Sequence, residues 1–68
     1  MTEIVFLVEE DLEGGYTAKA LGESIFTQAD DIDGLKIMIR DAVDCHFEGA
    51  EKPKMIRLHI VKDEVIAS

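Results

Sequence analysis

A run of five consecutive apolar residues, residues 4–8, lies near the start of the chain. Residues 3–9 are rich in β-branched and aromatic side chains, which favours a β-strand. The apolar side chains fall on both faces of this strand, with Ile4, Phe6 and Val8 on one face and Val5 and Leu7 on the other. A strand that is apolar on both faces is typical of a central position in a sheet.

Three further segments have strand character, and these are residues 16–21, 24–28 and 55–61. Gly14 and Gly15 in the first connection permit the positive φ angles of a tight loop. Gly22 marks a turn between the second and third segments. Because successive strands joined by short loops pair antiparallel, the first three segments predict a meander.

Between the third and fourth strands the apolar period changes to that of a helix. Asp31 precedes this segment as a natural N-cap, and Gly49 is the predicted stop. Ile37 and Phe47 lie off the predicted buried stripe. At 100° per residue the stripe contains Ile32, Leu35, Met38, Ile39, Ala42, Val43 and His46.

The order of elements therefore predicts an α+β fold, β-β-β-α-β, in which one helix packs on one face of a four-stranded sheet. Residues 1–68 are long enough for a single domain. One helix covers only one sheet face, and exposed apolar patches usually mark interfaces. We therefore predict Val5 and Leu7 as an oligomer interface. The opposite assignment, with Ile4, Phe6 and Val8 on the uncovered face, stays open at this point.

Composition adds a strong negative charge, a formal net charge of -8 from seven basic and fifteen acidic side chains. Nucleic-acid binding relies on Lys and Arg, so direct binding of DNA or RNA is not expected. The charge suits a basic protein partner, although it also serves simple solubility. A chain this short buries a small core, so self-association is an expected source of further stability.

The location predicted from the sequence is the cytoplasm. Cys45 is the single cysteine, which excludes a disulfide within the chain and fits a reducing compartment. The longest apolar run near the start, residues 4–8, has acidic neighbours and is too short for a signal peptide or a membrane span. We accordingly expect no membrane association.

No residue set in the sequence predicts catalysis, a cofactor or a metal ion. Cys45 and His46 are adjacent, so their side chains diverge by about 100° on a helix and do not form a catalytic pair. Asp30, Asp31 and Asp33 are too closely spaced for a calcium loop of about twelve residues, and helix capping accounts for them. We therefore predict that the chain is not an enzyme.

Residues 10–49 resemble the HicB family of antitoxins. The resemblance lies in Gly14-Gly15-Tyr16-Thr17-Ala18, in Thr27-Gln28-Ala29-Asp30, and in the helix from Ala42-Val43 to Phe47-Glu48-Gly49. It implies a partial ribonuclease-H-like sheet without ribonuclease activity, with strand order 3-2-1-4 and the last strand parallel to the first. A right-handed crossover through the helix is compatible with that mixed sheet.

This chain departs from the HicB pattern in two ways. The turn between the second and third strands lacks the proline usual in that family, and we expect no DNA-binding segment within residues 1–68. An autorepressor role is therefore not carried over from the resemblance.

The resemblance implies a function as a toxin-neutralising domain that covers a small, basic, RNA-cleaving toxin. The residues predicted to contact such a partner are Glu9, Glu10, Asp11, Glu13, Asp41 and Asp44. The alternative is a stand-alone homo-oligomer with a structural or regulatory role and no toxin partner.

Overall fold

A computed structural model describes residues 2–62 and 64–68 as four strands, one α-helix and one short 3-10 turn. All of the predicted strands are present, with bounds that differ by at most two residues from those expected. The elements are β1 (Glu3–Glu10), β2 (Tyr16–Ala20), β3 (Phe26–Ala29), α1 (Ile32–His46), the 3-10 turn (Gly49–Glu51) and β4 (Met55–Val61).

The four strands form one mixed sheet in the order β3-β2-β1-β4. β1 pairs antiparallel with β2, with Phe6 opposite Ala20, and β2 pairs antiparallel with β3. β4 pairs parallel with β1, with Phe6 opposite Leu58. The predicted α+β architecture and strand order are therefore confirmed, and β1 is an interior strand as its two apolar faces indicate.

The core lies between α1 and one face of the sheet. Phe6 and Val8 of β1 are fully buried and lie on the helix side, together with Ala18 of β2. Leu35, Ile39 and Val43 supply the buried positions of α1, at the i, i+4 and i+8 spacing of one helical face. This resolves the open assignment of faces, because Ile4, Phe6 and Val8 are covered and Val5 and Leu7 are not.

The helix begins as predicted, with Asp31 as its N-cap. The Asp31 side chain accepts a hydrogen bond from the backbone N–H of Gly34 at 2.6 Å. A Cβ atom at position 34 would lie 3.0 Å from Asp31 Oδ1. Glycine at position 34, although unfavourable in a helix interior, therefore leaves room for the cap.

The end of the helix differs from the prediction. α1 stops at His46, and Phe47 is the C-cap in extended conformation, so the helix ends before Gly49. Gly49 instead has a φ angle of +56° and begins the 3-10 turn. Because the chain turns at Phe47, this side chain folds back into the core and is buried, whereas Met38 on the predicted stripe is exposed.

The helix lies over β2 and β3 and is displaced from β4. Within the described residues, α1 approaches β2 and β3 closely but makes no comparable backbone approach to β4. None of the seven residues of β4 is buried, although Ile56 and Leu58 pack at the margin of the core. The helix side of β4 is consequently open.

Candidate partner-binding surfaces

One end of the molecule carries four of the predicted contact residues. Glu9 and Glu10 close β1, and Asp11 and Glu13 lie in the loop that leads to β2. Asp11 orders this loop, because its carboxylate accepts a hydrogen bond from the backbone N–H of Glu13 at 3.0 Å. All four side chains are exposed, so their charges are available to a partner.

The start of the helix brings further carboxylates to the same end. Glu10 of β1 pairs with Tyr16, which in turn pairs with Ala29, the residue before Asp30. Asp11 and Asp30 line one shallow polar hollow. We define the acidic end as Glu9, Glu10, Asp11, Glu13, Asp30, Asp31 and Asp33.

Sequence reasoning missed that Asp30, Asp31 and Asp33 join this surface. The sequence predicts helix capping as the role of these three residues, and Asp31 does cap α1. The signal that could have found them was the predicted meander, since β1 and β3 point in the same direction and both end at this edge. Clustering of like charge produces a local potential that extends beyond any single side chain.

The two predicted contacts on the helix lie elsewhere. Asp41 and Asp44 are exposed on the second half of α1, away from the end at which the helix begins. Asp44 forms an ion pair with Lys52 of the loop before β4. The six predicted residues thus form two separate groups, and the charge of Asp44 is partly neutralised by its neighbour.

The sheet face opposite the helix is uncovered, and we call it the open face. Val5 and Leu7 lie at its centre and are half-buried. Leu7 is flanked by Lys19 on β2 and His59 on β4, and Val5 by Arg57. Long polar side chains cover apolar surface with their stems, so the open face is less apolar than β1 alone indicated.

Two large apolar side chains extend the open face toward both sheet edges. Phe26 at the start of β3 is 64% exposed, and Met55 at the start of β4 is 56% exposed. An ion pair between Glu3 and Arg57 borders Val5. The hydrogen bond to Glu3 and the charge of Glu3 raise the pKa of Arg57, so this side chain stays positively charged.

Cys45 and His46 are the last two residues of α1. Cys45 is exposed, and the Nε2 atom of His46 lies 3.2 Å from the Oε2 atom of Glu23 in the β2–β3 turn. The imidazole also makes an edge-on contact with the ring of Phe47. His46 belongs to the stripe that the sequence predicts as buried, but this residue is exposed, as Met38 is.

Residues 2–62 and 64–68 contain no cluster of three or more His, Cys, Asp or Glu side chains that could hold a metal ion. In the same part of the chain, no helix has the length and apolar character needed to cross a membrane.

Two curated proteins are similar to the chain. A UPF0150 protein of Archaeoglobus fulgidus is 60% identical over 52 residues, which cover 76% of this chain and 77% of the relative. A UPF0150 protein of Thermotoga maritima is 52% identical over 66 residues, which cover 96% of this chain and 91% of the relative. No family model matches the chain, and no solved structure matches it.

Proposed function

The chain belongs to the UPF0150 protein family, and from that premise we propose that it is a non-catalytic protein-binding module of antitoxin type. Its partner is a small, basic, RNA-cleaving toxin, which it neutralises by covering the RNA-binding surface. The observation that carries this proposal is the acidic end, where carboxylates from two loops, one strand and the helix start are exposed together.

The electrostatic argument rests on competition with RNA. A protein that binds RNA does so through a positive surface that replaces the counterions of phosphates. An exposed group of carboxylates presents the same sign of charge to that surface and excludes the nucleic acid. Complementary charge also accelerates encounter between the two proteins, and added salt weakens the attraction.

The architecture gives independent support for a HicB-like module. The resemblance of residues 10–49 to HicB implied the order β3-β2-β1-β4 with β4 parallel to β1, and the chain has that order. Because a fold alone does not assign a function, the proposal rests mainly on the charged surface.

A cytoplasmic location is part of the proposal. Cys45 is an exposed free thiol, which suits a reducing compartment in which RNA-cleaving toxins act.

A homo-oligomer without a toxin is the second candidate function, and the open face favours it. The open face provides apolar surface of the kind that a second copy covers, with Val5 and Leu7 at its centre and Phe26 and Met55 near its edges.

We expect Val5→Glu to weaken self-association in sedimentation equilibrium while the far-ultraviolet circular dichroism stays unchanged. Phe6→Glu serves as the contrast, because Phe6 is fully buried and the change unfolds the chain.

Co-expression tests the toxin proposal. The chain is expressed together with a small basic protein encoded beside it in the same genome, under conditions in which that protein alone arrests growth. We expect growth to be restored and the two proteins to co-purify at low salt. A chain that neither restores growth nor co-purifies contradicts the antitoxin function and leaves the homo-oligomer.

A further inference from the structure

A trough runs along the molecule between α1 and β4. Its volume is about 590 Å³, and it opens to solvent. Ile39 of α1 and Ile56 and Leu58 of β4 form its apolar floor. The trough exists because α1 lies over β2 and β3 and leaves the helix side of β4 open.

The rim of the trough is basic, although the chain as a whole is strongly acidic. Lys36, Arg40, Lys52 and Lys54, four of the seven basic residues, line it. Asp44 is the acidic residue of the lining, and it is ion-paired with Lys52. A basic toxin does not suit this surface, whereas an apolar segment that carries negative charge does.

β4 also offers a free backbone edge beside the trough. It is the last strand of the sheet, seven residues long, and its outer N–H and C=O groups have no strand partner within the described residues. Such an edge readily accepts an added strand. The trough and the edge together fit an extended peptide with alternating side chains better than they fit a small molecule.

The segment that follows β4, residues 64–68, has the required character. Val65 and Ile66 are β-branched, favour extended structure, and are 96% and 88% exposed. In a strand, Glu64 and Ile66 point to the same side. One face of this segment therefore combines a carboxylate with a large apolar side chain, which complements a basic rim above an apolar floor.

We propose that residues 64–68 of one copy of the chain bind as an added strand along β4 of a second copy, with Ile66 on the trough floor and Glu64 at the basic rim. The occupant is a second copy because β4 carries the chain away from its own trough. Ile56 and Leu58 in the first part of β4 line the trough, whereas Val61 at the end of β4 pairs with Glu9 at the acidic end. This contact is separate from the open face and does not depend on a toxin.

Cysteine cross-linking of the full chain tests the contact. The Cys45→Ser background removes the native thiol, and Glu64→Cys is combined with Arg40→Cys, because both positions lie at the trough rim in the proposed contact and Ile66 stays in place. The control combines Glu64→Cys with Gln28→Cys, an exposed position on the open face of β3. Under mild oxidation we expect the Arg40 pair to form a covalent dimer, twice 7.6 kDa, roughly tenfold or more faster than the control.

The other outcomes overturn the proposal. Equal cross-linking rates for the two pairs mean that the segment does not bind the trough, and a cross-linked monomer means that the segment binds the trough of its own chain.

A second measurement uses sedimentation equilibrium of Ile66→Glu, for which we expect at least about tenfold weaker self-association, since one apolar side chain is lost from the contact. Co-purification with a toxin reports on the acidic end and is unaffected by this result, so the two proposals fail separately.

Discussion

At the scale of single residues, Gly15 is the glycine at which an added Cβ atom would meet another atom at the shortest distance. Its φ angle is +82°, and a Cβ atom there would lie 2.9 Å from the backbone oxygen of Ala29. Gly14 has a φ angle of +103°, but nothing lies within 4 Å of the position that its Cβ would occupy. Any other residue at either position would have a strained backbone conformation, whereas its Cβ atom would clash with neighbouring backbone only at position 15.

We therefore expect Gly15→Ala to destabilise the fold more than Gly14→Ala. The conformational cost of positive φ is about 1–2 kcal/mol at either position, and the Gly15 variant adds displacement of β3. Urea denaturation of the two variants measures the difference in free energy of unfolding. Equal losses would show that the approach of Ala29 to Gly15 is unimportant for stability.

At the scale of elements, the sequence predicted the strands well because β-branched residues and glycine turns mark them locally. The helix stripe was predicted less well. Angular position predicted Met38 as buried and Phe47 as off the stripe, whereas Met38 is 45% exposed and Phe47 is 8% exposed. The reason is that α1 ends before Phe47, so the direction of its side chain is set by the extended C-cap and not by the helical period.

This difference gives a matched pair of truncations. We expect Phe47→Ala to lower the free energy of unfolding by about 3 kcal/mol, because a buried aromatic side chain is lost and a cavity remains. Met38→Ala should change it by less than about 1 kcal/mol, since the side chain is largely in water. Thermal or urea unfolding measures both variants. If Met38→Ala lowered the free energy of unfolding more than Phe47→Ala does, Met38 would be a buried residue, as the sequence predicted, and the observed end of the helix would be contradicted.

At the scale of the whole molecule, charge was predictable in amount but not in distribution. The count of acidic residues indicated a basic partner, and the β1–β2 loop was predicted as a contact. Asp41 and Asp44 lie apart from that loop. The carboxylates at the start of the helix lie beside it, because the meander brings the end of β3 to the edge at which β1 ends. The basic trough was not foreseen, since it arises from the displacement of α1 relative to β4.

The association rate between the chain and its proposed basic partner, measured by stopped-flow fluorescence over a series of salt concentrations, tests the central claim most directly. The test variant reverses Glu10 and Glu13 to Lys at the acidic end. The control reverses Glu48 and Glu51 to Lys, two exposed residues beyond the other end of α1, and changes the net charge by the same amount. We expect the rate to fall with salt for the unmodified chain, and the acidic-end variant to associate roughly tenfold or more slowly at low salt than the control. Equal rates for the two variants, or a rate that does not depend on salt, would contradict recognition through the acidic end.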